Sequence, residues 1–156
     1  MQVRISHEFE QTNYAAPDRV FPLLCPVEEA KWVPGWKHTL IYSNSGFAEP
    51  GCVFTTPNDD GSESTWICTR HDAEKFEVGY VWVRPGIMTA RLNIQLEPTA
   101  SGNTVAHIRY EYTALSAEGA MELAGMDSAW YVKKMKAWED AINHYLRSGV
   151  CATASW

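Results

Sequence analysis

An α+β fold is predicted, in which one long C-terminal helix covers an antiparallel sheet of about seven strands, and three observations predict it. Around Asp127 to Arg147, with a lead-in from Ser116, apolar residues recur at helical spacing. Ala124, Tyr131, Met135, Trp138, Ile142 and Tyr145 fall on one stripe, opposite Lys133, Lys136, Asp140, Asn143 and Arg147. Upstream, six runs of β-type residues follow one another, separated by Gly, Pro, Asn, Asp and Ser. The segments joining them are too short for the crossovers that parallel strands require, so the strands must reverse direction at each turn.

The N-terminal run, Val3 to Thr12, alternates Val3, Ile5, His7 and Phe9 with Arg4, Ser6, Glu8 and Glu10, the pattern of a half-buried strand that can join the sheet. Pro17 suits the first position of a helix, and Asp18 to Leu24 gives one or two turns with Val20, Phe21 and Leu24 facing inward; Pro22 keeps it short. A second short helix is expected over Val27 to Val33, closed by Pro34-Gly35. The meander then reads Lys37 to Ser43, Cys52 to Thr56, Thr65 to Arg70, Phe76 to Val83, Met88 to Glu97 and Thr104 to Ala114. In its best patterned runs, Leu92, Ile94 and Leu96 oppose Arg91, Asn93 and Gln95, and Ile108, Tyr110 and Tyr112 oppose His107, Arg109 and Glu111. One sheet face is therefore wet and the other covered.

The long helix can start at Asp127-Ser128, an N-cap, and stop at Gly149; Gly125 is placed where it can divide the lead-in from the main helix. Trp138, central in the inner stripe, is expected to be largely buried. Residues 1–147 are read as a single domain, and the small, polar tail Ser148 to Trp156 as a flexible end.

At 156 residues the chain can bury about two thirds of its unfolded surface and needs no metal or disulfide to fold. A net charge of −6 without a run of Lys and Arg argues against nucleic acid as a partner. No apolar stretch reaches the roughly 18 residues of a transmembrane segment, and Met1 to Glu10 lacks the apolar centre of a secretory signal, so a cytoplasmic location is expected. Cys25, Cys52, Cys68 and Cys151 have no metal-ligand spacing and read as reduced thiols. His7, His38, His71, His107 and His144 are scattered without HxH or HExxH spacing, so no metal is expected. Glycine-rich phosphate loops and a nucleophile elbow are absent, no cofactor is expected, and no residue set identifies a catalytic reaction.

The order of strand, two short helices, meander and long helix resembles the helix-grip fold of the START-related, polyketide-cyclase and birch-pollen-allergen-like superfamily. The resemblance spans nearly the whole chain. It is carried by Pro17 to Trp36, Arg84-Pro-Gly86, Tyr110 to Gly119 and Trp138 to Leu146, which are similar to a bacterial branch of that superfamily. It implies a cavity between the sheet and the long helix, able to hold an apolar or aromatic molecule. Strand residues Trp66, Tyr80, Trp82, Tyr110 and Tyr112, with Tyr131, Met135 and Trp138 from the helix, are the expected walls, and His38 a polar contact near the mouth.

Because the superfamily includes lipid carriers, hormone receptors, cyclases, oxygenase domains and chaperone activators, the fold does not select a function. Binding or carrying of a small hydrophobic ligand is the leading expectation. A cyclase or dehydratase acting on a polyketide-like or aromatic substrate is the alternative, and a chaperone-activator-like interaction module a third; a homodimer is compatible with each.

Overall fold

The computed structural model describes residues 3–153. Its seven strands are β1 (Arg4–Asn13), β2 (Thr39–Tyr42), β3 (Val53–Pro57), β4 (Glu63–Asp72), β5 (Glu77–Arg84), β6 (Met88–Pro98) and β7 (Thr104–Ala114). They form one sheet in the order β1-β7-β6-β5-β4-β3-β2, and all neighbours run antiparallel. The expected meander is present, with β1 added beside β7.

Register is what gives this sheet its character. Ile5, Tyr112, Ala90, Trp82, Trp66, Phe54 and Leu40 are successive cross-strand partners, so one transverse row crosses all seven strands on the covered face. Cross-strand partners on one face are the nearest side-chain neighbours in a sheet. Phe54 stacks on Trp66 at 5.4 Å between centroids, and Trp66 meets Trp82 at 5.9 Å. Ala90 has almost no side chain, so Trp82 and Tyr112 lean over it and touch at 6.2 Å although they belong to strands that are not adjacent. The neighbouring row, with Tyr110, Leu92 and Tyr80, supports this one; Tyr110 stacks parallel on Tyr112 at 5.1 Å.

Between β1 and β2 the chain forms α1 (Pro17–Val20), a 3-10 turn (Phe21–Leu24) and α2 (Pro26–Glu29). Both helices start on proline, whose fixed φ and missing N–H suit a first turn. The second is shorter than expected because Trp32 folds back: its ring is fully buried and its indole N–H donates to the Leu23 carbonyl at 2.7 Å.

The C-terminal segment divides at Gly125 into α3 (Ala117–Ala124) and α4 (Ser128–Ser148). Asp127 caps α4 by accepting from the Trp130 N–H at 2.9 Å, and Gly149 ends it in the left-handed conformation. In α3, Gly119 packs so closely on the β5–β6 turn that a Cβ there would lie 1.8 Å from the Ile87 carbonyl oxygen. No larger side chain could sit at that contact without moving backbone. The contact fixes the next turn of α3, where Glu122 meets Arg84 of β5 at 2.7 Å.

Helix α4 is tied to β1 along its length. At its start the Met126 carbonyl lies 2.8 Å from the His7 imidazole, which stacks on Tyr131 at 4.8 Å. One end of β1 is held by side chains: Glu139 accepts from the Thr12 N–H at 2.8 Å, and Asn143 both accepts from the Tyr14 N–H at 3.1 Å and donates to the Thr12 carbonyl at 2.8 Å. Asn143 is therefore buried, not on the outer face where helical periodicity placed it, because its amide satisfies strand backbone. Ala124 belongs to α3 and is exposed, and Trp138 is only partly buried, edge-on to Trp32 at 5.7 Å. Tyr131, Met135 and Ile142 are buried as expected. The expectation for Trp156 lies outside the described residues.

These contacts rank three substitutions. Gly119→Ala should cost the most, about 3 kcal/mol, since backbone must yield, and Asn143→Ala about 1–3 kcal/mol through its orphaned strand groups. Trp138→Ala should cost about 2 kcal/mol, below the ~3–5 kcal/mol of a fully packed ring. Urea unfolding of the three variants checks the order.

Candidate ligand-binding site

Where the transverse row passes under the start of α4, Tyr112 meets Trp130 at 6.3 Å and Tyr110 meets Tyr131 at 5.9 Å, and beside these contacts a chamber of about 260 Å³ remains. Its floor is Trp66, Trp82, Tyr110 and Tyr112, its ends Met88 and Met126, and its roof Trp130 and Lys134. An outer groove of about 860 Å³ runs from Val33–Lys37 to Trp138 and shares Thr56, Asn58, Trp130 and Lys134 with the chamber. The two are thus an inner room and its vestibule. The room alone lies below the ~300 Å³ at which typical ligand pockets begin, so it suits a molecule of one or two rings.

Most polar groups in the walls are already engaged. The Trp66 indole N–H donates to Thr56 Oγ1 at 3.0 Å, and the Ser64 hydroxyl to Asn58 Oδ1 at 3.1 Å. Arg84 is held between Glu122 at 2.7 Å and Asp60 at 3.1 Å. Others, the buried Arg84 Nε among them, have no hydrogen-bond partner among the described residues, and two of these bear on what the chamber can hold. The Tyr112 hydroxyl is buried without a hydrogen-bond partner among the described residues, and burial holds its proton far above the ordinary tyrosine range. Lys134 makes no ion pair among the described residues; its ammonium lies 5.0 Å from the Tyr110 ring centre and 5.1 Å from that of Trp130. Ring faces attract a cation but replace only part of its lost hydration, and burial lowers the Lys134 pKa to about 8.

Of the residues singled out in the sequence, Trp66, Trp82, Tyr110 and Tyr112 line the chamber and Trp138 lines the groove. Four others line neither. Tyr80 is buried and donates its hydroxyl to the Leu24 carbonyl at 2.8 Å, Met135 is fully buried in the core, Tyr131 packs on His7, and His38 stacks beside Trp36 at 6.1 Å. Sequence reasoning missed Lys134, Trp130, Arg84 and Glu122. A cation four residues after a tryptophan on one helix was a signal for the first two, since such positions are neighbours on a helix face. The Arg84–Glu122 pair joins residues distant in sequence and gave none. Among the described residues no group of three or more His, Cys, Asp or Glu could hold a metal ion, and no helix is long and apolar enough to cross a membrane.

Norcoclaurine synthase from Thalictrum flavum, solved in complex with dopamine and hydroxybenzaldehyde, superposes with a TM-score of 0.68 over 94% of this chain and 88% of that one, at 17% identity. The chain has the helix-grip fold. Ara h 8.0201 gives a TM-score of 0.65 over 94% and 99% of the two chains at 16% identity. DynU16, from the dynemicin biosynthetic locus, gives 0.63 over 93% of this chain and 48% of that one at 14% identity. At these identities the likeness establishes the fold alone and leaves chemistry to the side chains. No family model and no curated protein matches the sequence.

Two partly buried titratable groups give the protein a stability profile with opposite slopes. Desolvation lifts the α2 carboxyl of Glu29 from 4.5 to about 8, so the folded state keeps a proton that the unfolded chain releases, and stability falls as pH rises from about 4.5 to 8. Lys134, lowered from 10.5 to about 8, loses its proton earlier in the folded state, so its burial penalty is full below about pH 8 and stability recovers as pH rises toward 10.5. Denaturant midpoints measured across pH should show the first slope vanish in Glu29→Gln and the second in Lys134→Met.

Proposed function

We propose that the protein binds a small aromatic ligand of one or two rings in the chamber between its sheet and α4, with the outer groove as the entrance. The observation that carries this reading is the chamber itself: rings from three strands and from α4 border a gap of about 260 Å³, with a buried, unpartnered Tyr112 hydroxyl in its wall. An unmade hydrogen bond of this kind costs about 1–3 kcal/mol, and a bound molecule that supplies an acceptor removes the cost. Filling the gap adds ring contacts that the empty protein lacks. The complex of norcoclaurine synthase with dopamine and hydroxybenzaldehyde gives the same class of ligand on the same fold.

Isothermal titration and thermal shift with a panel of one- and two-ring aromatics test the reading. A binder should saturate near one per chain and raise the melting temperature with concentration, as mass action requires. Tyr112→Phe should weaken ligands bearing a carbonyl or hydroxyl by about tenfold, the size of one buried hydrogen bond, and weaken hydrocarbon analogues much less. A panel without a saturable binder sinks the proposal.

A further inference from the structure

Seven of the thirteen lysines and arginines meet a carboxylate; Lys134, like Arg19, Lys37, Lys75, Lys133 and Arg147, does not among the described residues, and what sets it apart is its place against two rings. Lys31 meets Glu28, Arg70 meets Glu77, Arg91 meets Glu111, and Lys136 meets Glu139. Lys134, placed where chamber and groove join, has ring faces at its sides and no carboxylate. An ammonium has three donors, and rings do not satisfy them as oxygen acceptors do. The one carboxylate in the chamber wall, Glu122, is engaged by Arg84. The other charged groups lining the groove with Lys134 are Lys133 of its own helix and, from the loops, Lys37 and Asp59. Tyr110 and Tyr112 stay neutral, because burial pushes both hydroxyls upward.

We infer that the ligand is a small aromatic carboxylate, with its ring over Trp66, Trp82 and Tyr112 and its carboxylate on the Lys134 ammonium. The inference rests on the ligand-binding reading above and names the chemistry that reading leaves open. A carboxylate supplies what the site lacks: acceptors for the ammonium and a compensating charge. A charge-assisted hydrogen bond away from bulk water is about twice as strong as a neutral one. Bound there, it also raises the Lys134 pKa from about 8, so binding near that pH takes up a proton.

The test compares benzoate, cinnamate and 2-naphthoate with the primary alcohols of the same carbon frames, by titration calorimetry on the full chain. In wild type the best carboxylate should bind at least about tenfold more tightly than its alcohol, the discrimination expected of one charge-assisted bond. Lys134→Met and Lys134→Gln, both checked for folding by near-UV circular dichroism, should reduce that preference to within about twofold. Calorimetry near pH 8 in buffers of different ionisation heat should show proton uptake with wild type and none with either variant. Equal binding of acid and alcohol overturns the inference and leaves the ligand-binding reading standing, as does a preference that survives in both variants. If neither acids nor alcohols bind, both fall.

Discussion

The register of β3 to β7 is the constraint on which the site depends. It brings Phe54, Trp66, Trp82 and Tyr112 from four strands into one row, with Ala90 as the gap over which two of the rings meet. A shift of one residue on any of these strands would send its ring to the wet face, since side chains alternate along a strand. Rings that lean on one another across strands form a stiff floor. The helix above covers that floor with Trp130 and Lys134, which leave the chamber between themselves and the strand rings.

Helix α4 is therefore held by its flanks. Its buried residues, Tyr131, Met135, Glu139, Ile142 and Asn143, settle over β1 and the core, where Glu139 and Asn143 take hydrogen bonds that no further strand supplies. The Gly119 contact performs the same service for α3 and sets Glu122 against Arg84. Together these two anchors set how α3 and α4 sit on the sheet. Charge is divided across the chamber: Arg84 stands between the two carboxylates of Glu122 and Asp60, a cluster of net negative charge, and Lys134 supplies the cation on the helix side.

Much of this fold was legible in the sequence, because strand alternation, turn residues and one long amphipathic segment all report local physics. The strand runs and the inner positions Tyr131, Met135 and Ile142 follow from periodicity alone. Asn143 did not, since a polar side chain that satisfies distant backbone looks on a helical wheel like a solvated one. The site was half legible. Trp66, Trp82, Tyr110 and Tyr112 are aromatic residues on the covered face, but only register, which is non-local, separates them from Tyr80, whose hydroxyl is used up on a carbonyl. Lys134 was hidden for the same reason: its surroundings come from β7 as well as from its own helix.

The pairing of β1 has a bearing on how the chain is made. Strand β1 is made before the rest of this sheet and finds its sheet partner only in β7, with Arg4 opposite Thr113, and further partners for its end on α4, between 127 and 131 residues away. During synthesis it must wait, with Ile5 and Phe9 uncovered, while the inner strands assemble beside one another. Contacts of such long range make loop closure the slow step of folding. The helix that roofs the chamber is thus also the element that completes β1.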